Sequence, residues 1–126
     1  MNAEAMSLAL PGDSASIARA RRAARRFARA CGADPADLAL AVSEAVTNAL
    51  VHGYRDHRRG TIELSGFVNG DHCVVEVADR GVGMLPHPDG HGLGMGLPVI
   101  TTIAARVEIV GLDPGTTIRM RFPVAR

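Results

Sequence analysis

The stretch SEAVTNALVHGY, residues 43–54, is an apolar segment interrupted by a row of polar side chains. Glu44 is the only residue in it with a formal charge, and the composition otherwise suits a buried helix. At helical pitch Glu44, Asn48 and His52 stand four residues apart and share one side of that helix. A carboxylate among apolar neighbours is costly unless something pairs with it. The row therefore predicts a ligand site on the helix.

Composition limits the class of protein that this chain can be. Its 126 residues, 47% of them hydrophobic, predict one globular domain spanning residues 1–126. Apolar runs stay short of the ~18 residues of a membrane span, and the N-terminus lacks a signal-peptide pattern, so we expect a cytoplasmic protein without membrane contact. The net charge of +1 argues against a general nucleic-acid binder. Cys31 and Cys73 lack metal or redox spacing and predict two reduced core thiols.

Apolar periodicity and turn residues predict the element order β-α-α-β-β-α-β-β. Asp34-Pro35 supplies an N-cap and a first-turn proline for the helix that carries Glu44, and Asn69-Gly70 indicates a tight hairpin. This order predicts the α+β class, as a two-layer α/β sandwich in which helices cover one face of a mixed sheet. We expect strands at residues 5–10, 61–68, 73–79, 107–110 and 116–122, and helices at residues 14–31, 35–53 and 97–105.

The first of three downstream glycine-bearing segments is ADRGVGM, residues 78–84. Asp79, at the end of a predicted strand, can accept a hydrogen bond from an amino group. Gly81 and Gly83 would let the backbone approach a flat ring because no Cβ stands in the way. Alone, the segment is equally explained as an ordinary Asp-Arg-Gly turn.

The second segment, GHGLGMGLPVI at residues 90–100, places Gly92, Gly94 and Gly96 just before a predicted helix. Unpaired amides and the helix dipole favour phosphate there, although a flexible linker would show the same pattern. No strand leads directly into these glycines and the chain has no Lys, which excludes the Rossmann and Walker motifs. The third segment, GTTIRMRF at residues 115–122, enters a strand with a Thr hydroxyl that could bond a base.

Taken in order, the polar-row helix and the three segments resemble the N, G1, G2 and G3 boxes of the GHKL (Bergerat-fold) ATPases. Within that superfamily SEAVTNALVHGY, GLGMGLPVI and GTTIR are similar to the small bacterial anti-sigma-factor serine/threonine kinases of the SpoIIAB and RsbW type. The resemblance covers nearly the whole chain and implies the Bergerat fold. It also implies an ATP-binding regulator that phosphorylates Ser or Thr of an antagonist protein with Mg-ATP and sequesters a sigma factor by partner switching.

The resemblance implies a role for individual residues. Glu44 would be the catalytic base that receives the proton of the attacking hydroxyl, and Asn48 would bind Mg²⁺. Asp79 would hold the adenine amino group, with Thr116 near the adenine. His52 would touch phosphate or Mg²⁺-bound water, or would instead stabilise the helix C-terminus. Further ATP contacts would come from Gly81, Gly83, Gly92, Gly94, Gly96 and Leu97.

A departure from the family pattern keeps a second function open. The segment between the G1 and G2 boxes, residues 84–91, is short and contains no Arg or Lys for the γ-phosphate. His87 and His91 could partly substitute, or could be plain solvated residues. The alternative is a nucleotide-gated protein-interaction module that binds ATP without phosphotransfer. A histidine-kinase catalytic domain or a gyrase-type ATPase fits less well, because we expect neither a phospho-acceptor hairpin nor a transducer domain.

The first predicted helix carries an unbalanced charge, with no acidic residue between Asp13 and Asp34. This face is either solvated surface or a docking face for an acidic protein partner, which the resemblance would make a sigma factor or an antagonist. Arg19 is the contact to test first. The resemblance also implies a homodimer, for which the first strand could supply a sheet edge. The arginine face consists of Arg19, Arg21, Arg22, Arg25, Arg26 and Arg29.

Overall fold

The structure is a computed structural model that describes residues 5–53, 60–80, 97–111 and 115–125. The predicted element order is confirmed, with a π-helical segment added after the second helix. In chain order the elements are β1 (Met6–Pro11), α1 (Ala15–Cys31), α2 (Pro35–Asn48), the π-helical segment (Ala49–Gly53), β2 (Thr61–Asn69), β3 (His72–Asp79), α3 (Leu97–Ile103), β4 (Arg106–Gly111) and β5 (Thr116–Pro123).

Local signals in the sequence set the start of α2. Asp34 has an extended backbone, and its carboxylate accepts a hydrogen bond of 3.1 Å from the Asp37 N–H, as an N-cap residue does. Pro35 occupies the first helical position, where a missing N–H costs nothing. Both features were predicted from the Asp-Pro pair and are confirmed.

The five strands form one sheet in the order β1-β2-β3-β5-β4. The prediction of a mixed sheet is wrong, because every pairing among the described strands is antiparallel. The physical reason lies in the α1–α2 hairpin, which returns the chain to the end of the sheet that it left. Pro11 at the end of β1 consequently pairs with Thr61 at the start of β2. The predicted β2–β3 hairpin is confirmed, but its two turn residues are Gly70 and Asp71 and not Asn69 and Gly70, because Asn69 pairs with His72.

The helices cover one face of this sheet, which confirms the predicted two-layer architecture. Small residues of α1, such as Ala20 and Ala24, are fully buried and bring the helix close to the strands. Phe27 of α1 packs against β2. A Cβ on Gly66 would lie 3.1 Å from the ring atoms of Phe27, so the glycine makes room for the ring. Among the described residues, no helix has both the length and the apolar character needed to cross a bilayer.

The prediction of a regular, buried helix through residue 53 is wrong in two respects. First, α2 ends at Asn48, and the next five residues, Ala49–Gly53, have π-helical backbone. A π turn bonds residues five apart instead of four, so the spacing of four holds for Glu44 and Asn48 but changes before His52. Second, Leu40 and Val51 are 43% and 54% exposed, so this helical stretch is buried on only one side.

Candidate functional site

The inner face of β3 changes character at its last residue. Cys73, Val75 and Val77 alternate along this face and are almost completely buried in the apolar core. Asp79 continues the same alternation and is only 4% exposed. A carboxylate is costly to bury unless it is paired, and Asp79 does take part in a close interaction. The end of β3 thus replaces the apolar pattern of this sheet face by a polar group.

A second polar residue lies opposite this carboxylate on β5. The β3–β5 register pairs Asp79 with Thr116, and Thr116 is 3% exposed. The further rungs on this face of the sheet are apolar, with Ile118 opposite Val77. Both Asp79 and Thr116 take part in further polar or other close interactions. One buried rung of the sheet thus offers a carboxylate and a hydroxyl side by side.

Gly115, directly before Thr116, makes this rung possible. Its φ of +108° lies in a region that side-chain-bearing residues avoid. A Cβ at this position would lie only 2.1 Å from the carbonyl oxygen of Asp79. The close approach brings the start of β5 against the end of β3. The sequence showed this glycine as part of a Gly-Thr turn, but its fit against Asp79 depends on the sheet register.

The polar residues of α2 are placed at its C-terminal half. Asn48 is 5% exposed and Glu44 is half-buried. Among the described residues, neither side chain forms a hydrogen bond or an ion pair. The neighbouring hydroxyls behave differently, because Ser43 Oγ donates to Leu40 O at 3.0 Å and Thr47 Oγ1 donates to Ser43 O at 2.7 Å. The side chains of Glu44 and Asn48 are thus not engaged within the described part of the chain.

The amide of Asn48 belongs to a side chain that is almost completely buried. An amide oxygen in that situation suits a hard cation such as Mg²⁺, which prefers oxygen ligands. In the described part of the chain, no cluster of His, Cys, Asp and Glu forms a protein-only metal site.

The remaining predicted site residues lie in the π-helical segment, in α3 or outside the described residues. The glycines Gly81, Gly83, Gly92, Gly94 and Gly96 lie outside the described residues, as does the segment 84–91. His52 belongs to the π-helical segment, and Leu97 is the first residue of α3. Helix α3 packs against α2 and buries Ile100 completely. The Gly-x-Gly-x-Gly segment therefore leads into the helix that borders α2.

Arg19 lies apart from these residues, on the outer face of α1. This residue and the other five arginines of the arginine face are all exposed, and α1 itself contains no acidic residue. Nothing in this face contributes to the pair formed by Asp79 and Thr116. Of the predicted site residues, the sheet register makes Asp79 and Thr116 neighbours, and Arg19 belongs to a different surface.

Comparisons with known proteins find a family and relatives that are similar to most of the chain. The family of the histidine kinase-like ATPase domain matches residues 10–122. The anti-sigma F factor of Thermoanaerobacter sp. (strain X514) is 35% identical over 97 residues, covering 68% of this chain and 67% of that protein. The serine-protein kinase RsbW of Oceanobacillus iheyensis is 47% identical over 45 residues, covering 36% of this chain and 28% of that protein.

A solved structure is similar over the whole fold. The crystal structure of the RsbU and RsbW domains of Rv1364c from Mycobacterium tuberculosis superposes with a TM-score of 0.75 at 26% identity, and the match covers 97% of this chain and 33% of that one. The match to the anti-sigma F factor of Clostridium beijerinckii, at 31% identity, spans 58% of this chain and 59% of the relative. The chain belongs to the histidine kinase-like ATPase domain family.

Proposed function

We propose that this protein is an ATP-binding anti-sigma regulatory factor that phosphorylates Ser or Thr of an antagonist protein and sequesters a sigma factor by partner switching. The observation that carries the proposal is the buried rung of Asp79 and Thr116 at the end of an otherwise apolar sheet face. The names of the relatives, anti-sigma F factor and serine-protein kinase RsbW, support the regulatory part.

Asp79 is the residue best placed to recognise the base. An ionised carboxylate only accepts hydrogen bonds, and the exocyclic amino group of adenine donates them. At 4% exposure the competition from water is small, so this contact discriminates adenine from a base with a carbonyl at the same position. Thr116 can donate or accept beside it, directly or through water. Gly81 and Gly83 would shape the base pocket.

Asn48 and Glu44 carry the chemistry in this proposal. Bound Mg²⁺ would neutralise the charge that builds up on the phosphates, and the mostly buried amide of Asn48 would hold it. Glu44 stands one helical turn before Asn48 and would accept the proton of the attacking Ser or Thr hydroxyl. His52 would lie near the phosphates. Leu97 and the glycines Gly92, Gly94 and Gly96 would surround them, with backbone amides as donors.

The partners and the state of assembly are part of the proposal. A sigma factor and an antagonist would bind alternately, with Arg19 on the arginine face among the contacts. The protein would act as a homodimer in the cytoplasm, without direct contact to nucleic acid or membrane. Exposed arginines attract an acidic partner over several ångströms and raise its association rate more than its final affinity.

Calorimetric titration with ATP, with and without Mg²⁺, tests the nucleotide site. We expect binding that strengthens with Mg²⁺ in the wild type and is lost in Asn48→Ala. Thr47→Ala is the matched control, because Thr47 adjoins Asn48 but its hydroxyl is engaged by the backbone of Ser43. Wild-type protein that binds no ATP, or an Asn48→Ala variant that keeps the full Mg²⁺ effect, would contradict the assignment.

The second candidate function is a nucleotide-gated interaction module that binds ATP without phosphotransfer. It is favoured by the absence of Arg and Lys from residues 84–91. Incubation with γ-labelled ATP and an antagonist protein separates the two functions, because the kinase leaves a stable phosphoserine or phosphothreonine on the antagonist. Full ATP affinity without label transfer would favour the module.

A further inference from the structure

The two cysteines of the chain lie on facing elements at the end of the molecule opposite Asp79. Cys31 is the last residue of α1 and is half-buried, whereas Cys73 is the second residue of β3 and is fully buried. Both are free thiols. They are 42 residues apart in the sequence, so only the tertiary structure can bring them together.

The packing of α1 on the sheet puts the two residues in register. Phe27 of α1 lies against Gly66, and Gly66 pairs with Val75 of β3. Four residues along a helix rise about 6 Å, and two residues along a strand span about 6.6 Å. Cys31 lies beyond Phe27 along α1 by about the same distance as Cys73 lies before Val75 along β3. This alignment places Cys31 in the neighbourhood of Cys73, within one apolar core.

The side-chain environment agrees with this placement. Cys31 Sγ lies 3.7 Å from the carbonyl oxygen of Ala28, within reach as a weak hydrogen-bond donor. Cys31 also packs against the same apolar core that contains Cys73. Burial, and then the neighbouring Cys31, raise the pKa of the Cys73 thiol to about 12. Cys73 is accordingly a protonated, protected thiol, and Cys31 is the member of the pair that solvent can reach.

The C-terminal residues hold both backbones in place beside the thiols. The Ala125 N–H donates to the carbonyl oxygen of Gly32, next to Cys31, at 2.8 Å. The Val124 N–H donates to the carbonyl oxygen of Asp71, two residues before Cys73, at 3.0 Å. One dipeptide therefore ties the end of α1 to the start of β3. The pair is built into a fixed junction and does not depend on a loop.

We propose that Cys31 and Cys73 form an oxidation site at which a hydroperoxide produces an intramolecular disulfide between α1 and β3. The Cys31 sulfur attacks a peroxide oxygen, the O–O bond breaks, and water (or an alcohol) and a sulfenic acid result. The Cys73 sulfur then attacks the Cys31 sulfur, and the S–O bond breaks as water leaves. Two thiols have lost two electrons, and one peroxide has gained them.

The order of these steps follows from exposure. Peroxide reaches Cys31, which is half-buried, before Cys73, which is not accessible. Cys73 then acts as the resolving thiol because it is the thiol of the same core. Its high pKa makes the resolving step slow at neutral pH, since little thiolate is present. Six strand residues, about 20 Å, separate Cys73 from Asp79, so the linkage would form without entering the nucleotide site.

Intact-mass and peptide mass spectrometry of the reduced protein, treated with hydrogen peroxide and then alkylated, tests the proposal. We expect the monomer to lose two hydrogens, to resist alkylation at both cysteines, and to yield a linked pair of peptides containing Cys31 and Cys73. Dithiothreitol should reverse the change. These readouts involve no nucleotide, so their failure is distinguishable from failure of the proposed function.

Single variants identify the role of each thiol. With Cys73→Ser, oxidation should stop at a sulfenic acid on Cys31 that dimedone traps, whereas Cys31→Ser should leave Cys73 reduced after the same treatment. Overoxidation of Cys31 in the wild type with Cys73 still free, or linkage only between two molecules, would overturn the proposal. Circular dichroism shows whether each variant is folded. If a variant does not fold, the wild-type experiment still decides: a linked Cys31–Cys73 peptide pair supports the proposal, and either contrary outcome overturns it.

Discussion

The two ends of the inner face of β3 differ in the polarity of their buried side chains. At Cys73 the neighbour on β5 is Phe122, and both side chains are buried in the apolar core under α1. At Asp79 the neighbour is Thr116, and the rung is polar although equally buried. The first end is an apolar core that contains one thiol. The second end buries polar groups, which is costly unless they are hydrogen-bonded.

Among the predicted effects, the loss of phosphate transfer in Glu44→Gln should be the largest. The amide cannot take the proton of the attacking hydroxyl, so transfer of labelled phosphate to an antagonist should fall by about 10²–10⁴-fold. Affinity for ATP, measured by calorimetry, should change little. Glu63→Gln is the matched control, since Glu63 is an exposed residue of β2. An unchanged transfer rate in Glu44→Gln would remove its role as the base.

Asp79→Asn should weaken ATP binding by about 10- to 100-fold, because a hydrogen bond to a charged acceptor typically contributes about 1.5–3 kcal/mol. The preference for ATP over GTP should shrink as well, which a purely structural defect would not produce. Asp71→Asn is the control at the other end of the same hairpin. Asp71 is 75% exposed at its side chain, so this change should leave both affinities intact.

A comparison of Gly115→Ala with Gly70→Ala measures how much free energy of unfolding depends on close packing at each end of β3. Both glycines have positive φ, +108° and +67°, but only Gly115 has neighbours that a Cβ would strike. We expect urea unfolding to show a loss of about 3 kcal/mol for Gly115→Ala and about 1 kcal/mol for Gly70→Ala. Equal losses would mean that the start of β5 moves away from Asp79 without cost.

Alkaline unfolding should reveal the buried thiol at the apolar end. Because the folded pKa of Cys73 lies near 12 and the ordinary value is 9.0, the native state holds this proton more tightly than the unfolded state. Its contribution is complete below pH 9 and is lost as the pH rises towards 12. Between about pH 9 and pH 10 the free energy of unfolding should fall by about 1 kcal/mol.

The chain suits this measurement because it has no Lys and a single Tyr, so few other groups titrate in the same window. Cys73→Ser should remove the dependence on pH. Cys31→Ser should retain most of it, since burial is the largest cause of the raised pKa. A slope that persists in Cys73→Ser would assign it to another group.

The sequence predicted what depends on neighbours along the chain. The Asp34-Pro35 start of α2 and the tight β2–β3 turn follow from backbone and capping preferences of a few consecutive residues, and both are confirmed. The alternation that points Asp79 inward is also visible in the sequence, because strand side chains alternate with a period of two. The order of the polar-row helix and the glycine segments indicated the family by resemblance, and the family match over residues 10–122 confirms it.

The tertiary structure decided what depends on register and on close approach between distant segments. Asp79 and Thr116 become neighbours through the β3–β5 pairing, and Gly115 is needed because of an atom of Asp79. The antiparallel course of β2 follows from the α1–α2 hairpin, and the change to π-helical backbone after Asn48 was not visible in the residue pattern. Cys31 and Cys73, which the sequence predicted as two reduced core thiols, come into one core because α1 packs on the sheet. Periodicity fixes which face a residue occupies, but only packing fixes which residue lies across from it.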